Sequence, residues 1–175
     1  MGCNFAARRG QSPYCAAECR IAFARAVRLL RVIEPAIKKY PLPAVAALIA
    51  GPSGRVLIVQ THKWSGYWGV PGGKVDYGED ILTALRREMR EEVGLEIHSE
   101  QYAFLSEIIE DKDFHKPMHF ISLEYVARSD SESTVFNEEI AQGAWVTVEQ
   151  ALTYPINSYT KKLLEWCIEN GFPNG

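Results

Sequence analysis

A chain of 175 residues and 19.7 kDa, 47% of them hydrophobic, has the size of one domain and can bury a full core, which excludes a wholly disordered protein. No apolar run approaches the length that spans a bilayer, and residues 1–20 lack the hydrophobic centre of a secretory signal, so a cytoplasmic protein is expected. The net charge of −3 conceals an asymmetry: residues 1–39 hold eight Lys or Arg and two Glu, a net +6, which leaves −9 on the rest and no evident basic groove for nucleic acid.

The first 40 residues read as a separate region, a basic arm followed by an amphipathic helix, with the main domain at 41–175. Residues 1–15 show no periodicity. From Ala16 to about Ile33 the apolar Ala22, Phe23, Ala26, Leu29, Leu30 and Ile33 gather on one side, apart from Arg20, Arg25, Arg28 and Arg31, and Pro35 should end the helix. Cys3, Cys15, Cys19 and Cys167 are too scattered for a disulfide framework and are read as reduced thiols. Tyr40, Pro41, Leu42 and Pro43 form a stiff connector. Ala44–Ala50 and Arg55–Thr61 then alternate like strands around Gly-Pro-Ser-Gly, the signature of a hairpin.

His62–Tyr67 is a polar, aromatic loop, Trp68–Val70 a short extended piece, and Pro71, Gly72 and Gly73 a tight turn. A helical stretch follows. With Ile81 placed at zero and about 100° advanced per residue, Leu85, Met89 and Leu82 span an apolar stripe from roughly 0 to 100°. The same wheel sets Glu88 near ~340°, Glu92 near ~20° and Glu91 near ~280°, so carboxylates share or touch the core-facing edge. Negative charge is costly there unless a cation sits among the carboxylates, and hard oxygen donors suit Mg²⁺ or Mn²⁺. Further on, Tyr102–Glu110 and His119–Ala127 alternate as strands joined by a charged loop, Asp111 to His115 and the three residues after it, that is placed to cover a site. Ser129–Asn137 is polar, Ala144–Val148 strand-like, a short helix opens at Thr147 or Val148, and Ser158–Glu169 is helical with Leu163, Leu164 and Cys167 apolar. This order implies a mixed sheet with helices on both faces, an α/β class.

Residues 73–95, GKVDYGEDILTALRREMREEVGL, resemble the Nudix box, G-x5-E-x7-R-E-U-x-E-E-x-G-U with U apolar: Gly73, Glu79, Arg87, Glu88, Met89, Glu91, Glu92, Gly94 and Leu95 fill it without a departure. The resemblance implies an α/β/α sandwich with a loop-helix-loop catalytic motif. It also implies a Mg²⁺- or Mn²⁺-dependent hydrolase, a diphosphohydrolase (pyrophosphatase) that opens the diphosphate linkage of a nucleoside diphosphate joined to a group X. Glu91 and Glu92 would ligate the metal, Glu88 would be a further ligand or the base acting on water, and the Gly72 carbonyl an extra ligand. Arg87 and Glu79 would support them by ion pairing. Relatives often add a carboxylate from the loop before a tryptophan-bearing strand; here Glu139 is the first choice and Glu138 the second, ahead of Trp145.

For the rest of the substrate, Trp64, Trp68, Tyr67 and Phe114 are candidates to stack on a base, and Gly73, Lys74, Lys63, His115 and Lys116 to meet phosphate. No proline falls between Glu96 and Lys116, where relatives that take ADP-ribose tend to carry one, so nucleoside or deoxynucleoside triphosphates and other nucleotide sugars stand ahead. The alternative is a Nudix-like module that senses nucleotide without cleaving it. A nucleotide-type small molecule is thus the expected partner, with the protein a monomer or homodimer.

Overall fold

The computed structural model describes residues 40–173; the arm, its helix and Cys3, Cys15 and Cys19 lie outside the described residues. Seven strands form one mixed sheet: β1 (Leu42–Ala50), β2 (Val56–Thr61), β3 (Trp68–Gly69), β4 (Gly72–Lys74), β5 (His98–Ile109), β6 (His119–Arg128) and β7 (Ile140–Val146). The helices are α1 (Ile81–Val93), α2 (Val148–Ala151) and α3 (Ser158–Asn170).

β1 is central. It runs parallel to β6 from Leu42↔Phe120 to Ala50↔Arg128, and its opposite edge is shared by β4, antiparallel over Ala44–Ala46, and β2, antiparallel at Ile49 and Ala50. β7 and β3 pair with β2, and β5 with β6, all antiparallel. Alternation along β1 and β2 divides two cores: Val45, Ala47, Ile49, Leu57 and Val59 pack with Ala84, Leu85, Met89 and Val93 of α1, while Leu48, Ala50, Val56 and Ile58 pack with α2 and with Leu163, Leu164 and Cys167 of α3. The result is the expected α/β/α sandwich. Among the described residues no helix is long and apolar enough to cross a membrane.

Several local expectations are corrected. Leu42 and Pro43 are not connector but the start of β1, where a missing N–H weakens only the frayed end of the ladder while the Pro43 carbonyl still accepts from Val75 N. Gly72 and Gly73 are not a tight turn but belong to β4. A Cβ on Gly72 would lie 2.3 Å from the Val45 carbonyl oxygen, so glycine is required by the close approach of two strands rather than by a turn. β5 begins at His98, four residues before Tyr102, because bulges let its irregular polar start remain paired with β6. β7 spans Ile140–Val146 rather than starting at Ala144, held along its length by β2. Leu82, placed on the apolar stripe, is 38% exposed: the buried arc of α1 centres on Leu85 and Met89, takes in Ala84, and leaves Leu82 outside in the first turn.

Candidate active site

α1 is fixed at both ends. Asp80 caps it, its carboxylate accepting from Thr83 N at 3.0 Å and Thr83 Oγ1 at 2.6 Å; these bonds hold the carboxyl below its ordinary value. Gly94, at φ 70°, closes it, and Leu95 N donates back to Met89 O at 3.2 Å. Between these caps Glu88 and Glu92 come round to the face beside β4, while Glu91 stands near the rim with its side chain 57% exposed.

Glu92 is only 4% exposed. Its Oε2 accepts from Gly72 N at 2.9 Å, which ties the helix to β4. Burial pushes its carboxyl up to about 7, against the Gly72 bond and with help from the nearby Glu88 charge. Burial likewise raises Glu88, opposed by Arg87 and reinforced by Glu91 and Glu139. Glu88 presses on the backbone of β4: a Cβ on Gly73 would lie 2.2 Å from its carboxyl carbon.

One cation organises the helix face and its leading loop. Arg87 grips Glu79 with two bonds, Nε to Oε1 at 3.0 Å and Nη2 to Oε2 at 2.8 Å. Its Nη1 reaches Glu88 at 2.7 Å and Glu91 at 3.2 Å, and Nη2 donates to the Lys74 carbonyl at 3.0 Å. This fork raises the guanidinium pKa, through Glu79 first and Glu88 second, and lowers that of Glu79. Lys63 pairs with Glu139 and draws Glu92 downward from further off.

The loop that delivers Glu139 is clasped to the end of α1: Val135 N donates to Val93 O at 3.0 Å and Asn137 N to Glu92 O at 3.1 Å, after which Asn137 Oδ1 receives Glu139 N at 2.9 Å. Glu139 therefore faces the site, whereas Glu138 is exposed and does not.

A cavity of about 530 Å³ runs from these carboxylates, past Gly72, Gly73 and Lys74, to the sheet face at the start of α3. Lys63, His115 and Lys116 line it, as do Trp64 and Phe114, whose rings meet edge to face at 4.9 Å. Packed on each other, they offer a base their outer surfaces rather than a slot between them. Arg87 and Glu79 do not line the cavity and act on it through Glu88, Glu91 and Lys74.

Trp68 is a correction. It is 9% exposed, packs edge to face on Tyr154 at 5.0 Å in the α3-side core, and does not line the cavity. Its N–H donates to Pro155 O and its carbonyl accepts from Asn157 N, so it seats the start of α3. Sequence reasoning missed Glu124, Ser122, Asn157 and Tyr159, all lining the cavity. A glutamate amid FISLEYV was the available signal, since a carboxyl flanked by apolar residues in a strand needs a reason to be there.

No three His, Cys, Asp or Glu side chains among the described residues converge into a ready coordination sphere; Arg87 and Lys63 sit among the carboxylates in place of one. The donor set nonetheless fits a hard divalent cation: oxygen ligands, with two carboxyls whose proton affinity is raised because their buried charge is incompletely balanced.

Comparison with known proteins agrees with this geometry. The NUDIX domain model matches residues 40–167. A nucleoside triphosphatase, NudI, of Escherichia coli (strain K12) is 33% identical over 105 residues, covering 57% of this chain and 74% of its own. Among solved structures, a MutT NUDIX hydrolase from Burkholderia pseudomallei superposes with TM-score 0.64 at 26% identity, covering 73% of this chain and 98% of that one. The NUDIX domain of Shewanella oneidensis NrtR, solved with ADP ribose, has TM-score 0.64 at 20% identity over 82% of this chain and 97% of its own, and so speaks for the fold alone. With the box complete and the sandwich in place, the chain belongs to the Nudix hydrolase family.

Proposed function

We propose that this chain is a divalent-metal-dependent diphosphohydrolase acting on nucleoside triphosphates. The observation that carries it is a cavity lined both by the carboxylates of α1 and by aromatic and basic side chains. The NudI relative, itself a nucleoside triphosphatase, supports a triphosphate ahead of a nucleotide sugar.

Glu88, Glu91 and Glu92, with Glu139 and the Gly72 carbonyl, are the residues that would hold Mg²⁺ or Mn²⁺. The bound cation would neutralise the diphosphate and lower the pKa of a water. Glu88 lines the cavity and, where it does not itself ligate the cation, takes the proton as water attacks phosphorus and the P–O bond to the leaving diphosphate breaks. Arg87 holds Glu88 and the Glu79 loop in register, Gly73 leaves room for the Glu88 carboxyl, and Lys63, Lys74 and Lys116 meet phosphate oxygens. Trp64 and Phe114 cover the nucleoside. A sensor that only binds nucleotide would not need every box carboxylate, and here all are in place. We assign these tasks to residues 41–175, in the cytoplasm, and an accessory role to the arm at 1–40.

A panel of nucleoside triphosphates, deoxynucleoside triphosphates and nucleotide sugars, incubated with Mg²⁺ and resolved for both products, tests the reading. Triphosphates should turn over fastest and turnover should stop in EDTA. Activity confined to nucleotide sugars, or equal activity in EDTA, would overturn it.

A further inference from the structure

A carboxyl group that this reaction does not use lines the same cavity. Glu124 stands mid-strand in β6, opposite Ala46 of β1 and Phe104 of β5; it is 3% exposed, and it lines the cavity. Ser122, two residues earlier on the same face, is paired across to Ser106 of β5 and Ala44 of β1. Alanines on the β1 side leave open space beside the carboxyl, and Asn157 and Thr160 at the start of α3 line the same space.

A buried carboxyl normally finds a cation or a full set of donors, because leaving it without them is costly. Glu124 has neither. Burial raises its proton affinity, and only the hydroxyls of Ser122 and Ser106 oppose the rise; among the described residues no Lys, Arg or His offsets it. Ser106 Oγ, close by and buried, is itself left without a well-formed hydrogen bond. A structural role would predict the reverse, a closed network with no spare capacity and no opening to a cavity. Glu124 lies across Ala46 of β1 from Gly72, in the part of the cavity that Asn157 and Thr160 of the α3 side also line, where the nucleoside falls if the triphosphate lies against α1.

We propose that Glu124 is a specificity-determining residue that accepts a hydrogen bond from an amino group on the nucleobase edge. It thereby favours adenine or cytosine nucleotides over guanine, uracil or thymine nucleotides. This rests on the nucleoside triphosphate reading above. A carboxylate is an acceptor; adenine and cytosine carry an exocyclic amine where guanine, uracil and thymine carry a carbonyl oxygen, and two acceptors facing each other in a desolvated pocket repel.

The test compares wild type with Glu124→Gln, whose amide NH₂ serves a carbonyl oxygen. kcat/KM is measured for ATP, CTP, GTP and UTP with Mg²⁺, and the Kd of their α,β-methylene analogues by calorimetry. Wild type should favour the better of ATP and CTP over UTP by about tenfold or more, and Glu124→Gln should cut that ratio to about threefold or less. Glu124→Asp, which withdraws the carboxyl by one methylene, should lose the same preference and serves if the Gln variant does not fold. A general loss of packing lowers all four nucleotides together and leaves the ratio unmoved. Equal ratios in wild type and variants, in turnover and in binding, would overturn the assignment. A binding ratio that collapses while wild type hydrolyses none of the four would uphold Glu124 and sink the hydrolase reading instead.

Discussion

Replacing Glu92 by Gln should make the metal-free protein more stable while abolishing its Mg²⁺-dependent turnover. Glu92 is 4% exposed, and its carboxyl is pushed from the ordinary 4.5 to about 7, chiefly by burial. The sign follows from proton linkage: the folded state binds this proton more tightly than the unfolded chain, so the associated stability is complete below about pH 4.5 and is lost as pH rises through about 7. At about 1.4 kcal/mol for each factor of ten in proton affinity, the loss is on the order of 3 kcal/mol. Gln is the neutral isostere and its amide oxygen keeps the bond from Gly72 N, so the variant escapes the loss. Urea melts in EDTA from pH 5 to pH 8.5 would show wild type weakening toward alkaline pH and Glu92→Gln holding level. At pH 8 the variant's Tm should be roughly 5–10 °C higher. Mg²⁺ should then restore wild type at pH 8 and leave the variant unmoved. Parallel pH profiles for the two proteins, or a variant less stable at pH 8, would refute the argument that uncompensated charge at this position is what the cation relieves.

Two further contrasts separate residues that hold the fold from residues that serve the site. Gly73→Ala sets a Cβ against the end of the flexible Glu88 side chain, so Tm should change by only a few degrees while kcat falls by about a hundredfold; Gly72→Ala meets the Val45 backbone oxygen at 2.3 Å, which cannot swing aside, and should lower Tm markedly in thermal melts. Trp68→Ala should cost about 3–5 kcal/mol in urea unfolding, as expected for an emptied core position, whereas Trp64→Ala should raise KM for the triphosphate with a much smaller effect on stability.

What could be read in advance divides along physical lines. The wheel of α1 placed Glu92 deepest, Glu88 at the edge and Glu91 outermost, and the structure has the same order, because helix period and side-chain character are local properties. The Gly94 cap and the helix from Ser158 were legible for the same reason. Gly72 and Gly73 misled, since glycine serves a tight turn and a crowded strand alike, and only the approach of Val45 and Glu88 tells them apart. Trp68 misled because a tryptophan beside a loop looks the same whether its ring turns toward a ligand or toward Tyr154. Glu124 is hard to assign to the site in advance because its partner on β1, Ala46, and Thr160, which lines the same cavity, are distant in sequence.

The clasp of Val135 and Asn137 on the last carbonyls of α1 bears on how such chains drift over evolutionary time. It measures the position of Glu139 from the helix end, while the loop before it is anchored separately: Ser129 N donates to Ala50 O at 2.9 Å and Glu132 pairs with Arg55 and Ser53, so added or lost residues there would disturb the β1–β2 hairpin before they displaced that carboxylate. A distal acid of this kind is therefore to be sought immediately before the strand that follows, after the two residues that grip the helix.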